Sequence, residues 1–229
     1  MNPQSLIIRQ MELGPMMNFV YLIGCERKRA AAVIDPAWEI AEILQLADKL
    51  NLRLEHILIT HAHPDHINGL ETLLGQTSAK AYIQAEEFKY VGRMAAQFRV
   101  PIDFVDRYAE RFQLLSDNDV IQVGSIPVQA LLTPGHSPGS QCFLAEKNLF
   151  SGDTLFVDAC GRVDLPGGDP ARMWFSLNRR LRALDDDIVL YPGHSYGDRS
   201  RSTIGEQKRT NPYMQISSVE EFARVMGED

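Results

Sequence analysis

The chain is poor in the residues that staple, span or grip nucleic acid. Its three cysteines, Cys25, Cys142 and Cys160, stand far apart, and no CxxC pair occurs. An odd count at wide spacing argues against a disulfide framework, and without CxxC a cysteine zinc knuckle has no support. The cysteines read as small buried residues of a reducing compartment. No apolar run approaches the ~20 residues that cross a bilayer. The opening "MNPQSLIIRQMEL" lacks a basic start followed by an apolar core, so it does not read as a secretory signal. The expectation is a cytoplasmic protein without a membrane partner. Positive charge is scarce: 23 Lys and Arg face 30 Asp and Glu, for a net charge of −7. That balance argues against a nucleic-acid partner, which normally needs a basic face. Low-complexity tracts, linkers and fixed-period repeats are missing too.

What is present is globular: 229 residues, 45% apolar and 23% charged. A chain of that length can bury a substantial core unaided. Strand-like runs rich in Val, Ile, Leu and aromatics are "SLIIRQM", "NFVYLIG", "AAAVID", "HILIT", "IPVQALL", "QCFLA", "NLFSG" and "DIVLYPG", bounded by Gly, Pro, Asn or Asp. Helical periodicity places Ile40, Ile43, Leu44, Ala47 and Leu50 on one face between Trp38 and Leu50. Pro170 to Leu184 repeats the pattern with Met173, Leu177, Leu181 and Leu184, behind Asp169 as N-cap and Pro170 in the first turn. Ser217 and Glu220 have capping-box spacing before Phe222, Val225 and Met226. "EEFKYVGRMAAQF" reads as helix. The mixture predicts one α/β (or α+β) domain over residues 1–229, with a helical insertion around 85–113. Met94, Phe98, Val100, Ile102, Phe104 and Val105 make that segment apolar. It reads as ordinary packing, with a cover over a site or a homodimer contact as the alternatives.

The chemistry concentrates in "HILITHAHPDHINGL", which carries four of the six histidines. The strand-like run ends at Thr60. His61 and His63, two apart in extended chain, point to one side, and Pro64 starts a turn of helix that brings Asp65 and His66 to the same point. His136 in "LLTPGHSPGS", Asp153 in "NLFSGDTLF" and His194 in "IVLYPGHSYG" each follow an apolar run as well. His56, before its run, reads as a surface residue. Five histidines and two aspartates at strand ends would repel or desolvate one another unless a cation gathers them. Neutral imidazole with carboxylate suits zinc or iron. Seven donors exceed one tetrahedral ion. Two ions sharing a carboxylate would use them all, lower the pKa of bound water and polarise a scissile carbonyl or phosphoryl oxygen. Met16 and Met17, in a hairpin turn, are placed at the site mouth.

"THAHPDH", "PGHSPG", "SGDTLF" and "YPGHSYG" together resemble, in order, the metal-binding motifs of the metallo-β-lactamase superfamily. The resemblance implies an αββα four-layer sandwich with its site at the edge between two sheets. It implies a first metal on His61, His63 and His136, a second on Asp65, His66 and His194, and Asp153 bridging. Asp65 would also orient or deprotonate the attacking water. "GDTLFVDACGRVDLPGGDP" is similar to the hydroxyacylglutathione hydrolase (glyoxalase II) branch, which implies hydrolysis of thioesters such as S-acylglutathione by metal-activated hydroxide. There Arg162 and Tyr196 match substrate-contacting positions. A salt bridge from Arg162 to Asp158 or Asp164, and plain packing of Tyr196, are the alternatives. The implied cofactors are two divalent ions, zinc first, with iron or manganese acceptable. "IIRQM", "CGRVD" and "STIGEQKRTNP" also resemble persulfide dioxygenases. That would imply one Fe(II) on His61, His136 and Asp153, and oxidation of glutathione persulfide to sulfite. Either way the partner is a small molecule, a glutathione conjugate.

Overall fold

The computed structural model describes residues 6–98 and 102–227, with side chains described up to Arg93 in the first stretch. Two six-stranded sheets face each other. The first takes β1 (Leu6–Leu13), β2 (Asn18–Cys25), β3 (Ala30–Ile34), β4 (Arg53–Leu58), β5 (Lys80–Gln84) and β6 (Phe112–Leu115), in sequence order. β1, β2 and β3 are antiparallel neighbours, whereas β3 to β6 run parallel. The second contains β7 (Val120–Val123), β8 (Ile126–Leu132), β9 (Gln141–Ala145) and β10 (Asn148–Gly152). A short hairpin, β11 (Leu155–Phe156) and β12 (Ala159–Cys160), stands apart. β13 (Val189–Pro192) pairs parallel with β10, and β14 (Ser202–Thr203) forms the edge.

Period-2 alternation sorts the side chains into layers. On β2, Phe19, Tyr21, Ile23 and Cys25 enter the core between the sheets, where Val128, Ala130, Phe143 and Phe150 meet them. Val20 and Leu22 point the other way. A strand covered on both faces reads as a continuous apolar run, and all eight residues of β2 are buried. Outside the first sheet lie α1 (Ile40–Lys49), α2 (Pro64–Ile67), α3 (Leu70–Gln76), α4 (Ala85–Phe98) and α5 (Asp103–Arg107). Outside the second lie α6 (Pro170–Phe175), α7 (Ile204–Thr210), α8 (Pro212–Gln215) and α9 (Val219–Val225). The fold is the αββα sandwich. No helix among the described residues is long and apolar enough to cross a membrane.

Several local expectations shift. Pro170–Leu184 is not one regular helix: α6 passes into a π-turn over Ser176–Arg180 and a 3₁₀ turn over Leu181–Ala183. Three consecutive residues, Ser176, Leu177 and Asn178, are buried there, and a wider turn aims them all inward. Asp169 does cap α6, accepting from Arg172 N at 2.9 Å. α9 is capped by Ser218, one residue later than expected, through Glu221 N at 3.2 Å. Of its expected apolar face, Val225 is exposed. His56 is inside β4, half-buried, with Nδ1 3.2 Å from the Tyr82 hydroxyl. The segment after β5 packs on the first sheet's core through Phe88, Val91, Ile102, Phe104, Val105, Tyr108 and Phe112. The side chains of Met94, Phe98 and Val100 lie outside the described residues.

Candidate metal centre

Each strand-end expectation lands at one edge of the sandwich. His61 and His63 follow β4, and Pro64 opens α2 with His63 in extended conformation as its cap. His136 stands between β8 and β9, Asp153 follows β10, and His194 follows β13. All five histidines and Asp153 are buried. His136 Nε2 lies 2.7 Å from His63 Nδ1 and 3.2 Å from His61 Nε2. His66 Nε2 lies 3.2 Å from His194 Nε2, and Asp65 Oδ2 is 3.3 Å from the latter. Asp153 reaches both groups: its carboxylate oxygens are 3.4 Å from His66 Nε2, 3.4 Å from His194 Nε2 and 3.6 Å from His136 Nε2.

The Nδ1 atoms of the rings have partners of their own. His136 Nδ1 donates to the Arg162 carbonyl at 2.7 Å, and His194 Nδ1 to the Met16 carbonyl at 2.9 Å. His66 Nδ1 faces Asp35 Oδ2 at 3.0 Å. Thr60 Oγ1 gives its proton to Asp35 at 2.6 Å, so it accepts from His61 Nδ1 at 3.0 Å. With its Nδ1 protonated, each of these four rings turns its Nε2 toward the centre, and in the neutral ring that nitrogen presents a lone pair. In the first group two such nitrogens, of His61 and His136, meet at 3.2 Å in buried surroundings, which is repulsive unless a cation lies between them. In the second group the carboxylates of Asp65 and Asp153 hold protons on the facing His66 and His194 that a cation would displace. The donor set therefore fits divalent metal in each group. Three donor atoms of His61, His63 and His136 lie within 4.8 Å of one another, as do those of Asp65, His66 and His194.

Burial holds the first group neutral. It pulls His61 and His136 down and His63 to about 3, with neighbouring imidazoles adding to the effect on His61 and His63. In the second group burial acts the same way, but Asp153 and Asp65 outweigh it. They hold His66 well above the ordinary imidazole range and His194 at about 9. Burial also works against the charge on Asp65 and Asp153, yet the facing histidines hold both carboxyls well below the usual range.

A cleft of about 570 Å³ opens onto the centre. Met16, Trp38, Phe156, Leu165 and Tyr196 line it with His63, Asp65, His136, Asp153 and His194. Tyr196 stacks on His194, with centroids 4.5 Å apart and an interplanar angle of 9°, and its ring is half exposed. Arg162 also lines the cleft, with its guanidinium bidentate on Asp164 at 2.6 Å for both contacts. The alternative pairing with Asp164 is thus the one that forms.

A family model described as "Metallo-beta-lactamase superfamily" matches residues 13–194. The chain belongs to that superfamily. Among curated relatives, a probable polyketide biosynthesis zinc-dependent hydrolase, PksB of Bacillus subtilis, is 31% identical over 90% of this chain and 86% of its own. The mitochondrial persulfide dioxygenase ETHE1 of Homo sapiens is 30% identical over 97% and 81%. Hydroxyacylglutathione hydrolase GloC of Haemophilus influenzae is 30% identical over 83% and 90%. The relatives of this metallo-β-lactamase superfamily enzyme thus include hydrolases and a dioxygenase.

Sequence reasoning missed the outer layer of this superfamily site. Asp35 follows β3 and accepts from Thr60 N, Thr60 Oγ1 and His66. It obeys the same strand-end rule that found Asp153, at "AVID". Asn18 donates to Asp65 Oδ2 at 3.1 Å and accepts from Trp38 Nε1. Gly161 and Gly193 are tight spots: a Cβ on Gly193 would come within 2.3 Å of Asp153 Oδ1, and one on Gly161 within 1.9 Å of the Asp153 carbonyl.

The split in proton affinity gives a measurable asymmetry. At pH 7.5 His194, at about 9, still carries the proton that a cation must displace, while the first group carries none. Metal entering the second group is expected to release protons and to bind more tightly as pH rises toward 9. The first group should release none. Zinc calorimetry in buffers of different ionisation enthalpy checks this, and proton release of equal size in both events would contradict it.

Proposed function

We propose that this chain is a metal-dependent thioester hydrolase acting on S-acylglutathione-type substrates in the cytoplasm, with His61, His63 and His136 holding one divalent ion and Asp65, His66 and His194 a second. Asp153 would be shared between them. Zinc is the first choice, and iron or manganese would fit the same donors. The observation that carries this reading is the completeness of both donor groups around one carboxylate. When bound, the ions supply activated water and polarisation of the carbonyl oxygen. Asp65, ionised and fixed by Asn18, accepts a proton from the attacking water. The apolar wall of Met16, Phe156 and Leu165 excludes bulk solvent from the thioester. PksB and GloC, both named as hydrolases, support the reaction class.

Arg162 and Tyr196 stand where a glutathione arm would leave the cleft. An exposed ion pair such as Arg162–Asp164 holds its partners weakly, so the guanidinium can exchange Asp164 for a substrate carboxylate. Arg162→Ala is expected to raise KM for glutathione thioesters about tenfold, on the scale of one charge-assisted contact, with kcat little altered. Unchanged steady-state kinetics would make the Asp164 pair its whole role.

The relative ETHE1, matched over nearly all of this chain, favours a second reading as an Fe(II) persulfide dioxygenase. Metal counting and oxygen uptake separate the two. Hydrolysis of S-lactoylglutathione with two ions per chain, and no oxygen consumption with glutathione persulfide by the iron-loaded protein, is the expected result. Persulfide-dependent uptake with one iron per chain would replace the hydrolase reading.

A further inference from the structure

Glu87 stands in the first turn of α4 and is wholly buried. Its carboxylate receives three hydrogen bonds. Ala62 N donates to Oε1 at 2.8 Å; Gly139 N at 2.8 Å and Ser137 Oγ at 2.7 Å donate to Oε2. No Lys, Arg or His among the described residues forms an ion pair with it. Burial pushes the carboxyl up, and the three donors pull the other way. All three bonds point toward the carboxylate, which is how an ionised acceptor is satisfied.

The donors' places in the chain give the arrangement its meaning. Ala62 lies between His61 and His63, and Ser137 follows His136. One carboxylate thus joins the two loops that carry the whole first donor group. The roots of those loops are tied independently: Gln141 N donates to the Thr60 carbonyl and Gln141 Nε2 to the Ile59 carbonyl. Glu87 ties the tips. The approach is close, since a Cβ on Gly139 would lie 2.2 Å from Glu87 N. Ser137 Oγ spends its proton on Glu87, so the Ser140 hydroxyl, 2.6 Å away, donates to Ser137 and completes the network. One turn further along α4, the Tyr90 hydroxyl donates to the Pro166 carbonyl, beside the cleft wall.

We propose that Glu87 is a positioning residue that sets the spacing of the two histidine loops, and through it the affinity of the His61–His63–His136 group for its cation. This rests on the metal-centre reading above. Because the roots stay tied without Glu87, loosening the tips should weaken metal binding before it unfolds the chain. Glutamine at 87 would keep the shape but turn an amide donor toward at least one of the three donors.

Zinc titration of the metal-free chain by calorimetry tests this, with His136→Ala and His194→Ala assigning the two binding events. Glu87→Gln is expected to weaken the event that His136→Ala removes by about tenfold or more, as loss of supporting contacts around metal ligands does. The event that His194→Ala removes should be unchanged. Ser137→Ala, which deletes one donor of three, should weaken the same event by a smaller factor, with a smaller drop in melting temperature than Glu87→Gln. Equal weakening of both events, or of neither, overturns the proposal. If Glu87→Gln does not fold, Ser137→Ala decides alone, and an unchanged first event then overturns it. If the wild-type chain takes one ion only, the two-ion reading fails, and the response of that single event still decides the role of Glu87.

Discussion

Asp153→Ala is expected to strip the protein of metal and activity together. The Asp153 carboxylate oxygens lie within 3.6 Å of histidine Nε2 atoms from both groups. Its removal leaves the first group three neutral imidazoles and the second a single carboxylate. Divalent cations bound by imidazole alone lack charge compensation in a buried site. Activity should fall by ~10³-fold or more, beyond the 10²–10³ that one lost transition-state hydrogen bond costs. The fold should survive, because Asp153 also holds up the pKa values of His66 and His194 in the metal-free protein. Without it these rings shed their protons more readily, and Asp65 keeps its hydrogen bond from Asn18. Elemental analysis beside a thioester assay checks the outcome. Full activity at depleted metal content would sink Asp153 as the shared ligand.

Asp153 was legible because its position obeys a local rule, a polar residue just past a buried strand. The same rule covers His61, His136 and His194, and the apolar runs before them became β4, β8 and β13. Asp35 obeys it too, but a lone aspartate at a strand end is usually a turn residue, and nothing local separates the cases. Glu87 carries no local signal: an acidic residue in a first helical turn is ordinary, and only tertiary folding sets two loops against it. β5, β6 and β7 escaped notice for a similar reason. "KAYIQ", "FQLL" and "VIQV" are short, and tertiary pairing decides their structure where periodicity is brief. At α9 the cap is Ser218 rather than the expected Ser217, and Phe222 lies in the core as its periodicity implied.

The second large effect falls on rate. Asp65→Asn is expected to lower kcat by about 10²–10⁴, the scale of lost general acid–base catalysis. Asp65 sits in the first turn of α2 at the cleft, its Oδ2 held by Asn18 at 3.1 Å. The facing histidines, overcoming the opposing effect of burial, keep it ionised far into the acid range, so it is ready to accept a proton at neutral pH. Asparagine retains the shape and can still accept from Asn18 through its oxygen, but it cannot take a proton. Its place within the second donor group makes metal content the necessary companion measurement. With both ions retained and kcat reduced, Asp65 acts on the proton. If metal is lost in step with rate and excess zinc restores both, it acts as ligand alone. A rate equal to wild type would remove it from the chemistry, leaving its bonds to Asn18 and its contact with His194 as its whole contribution.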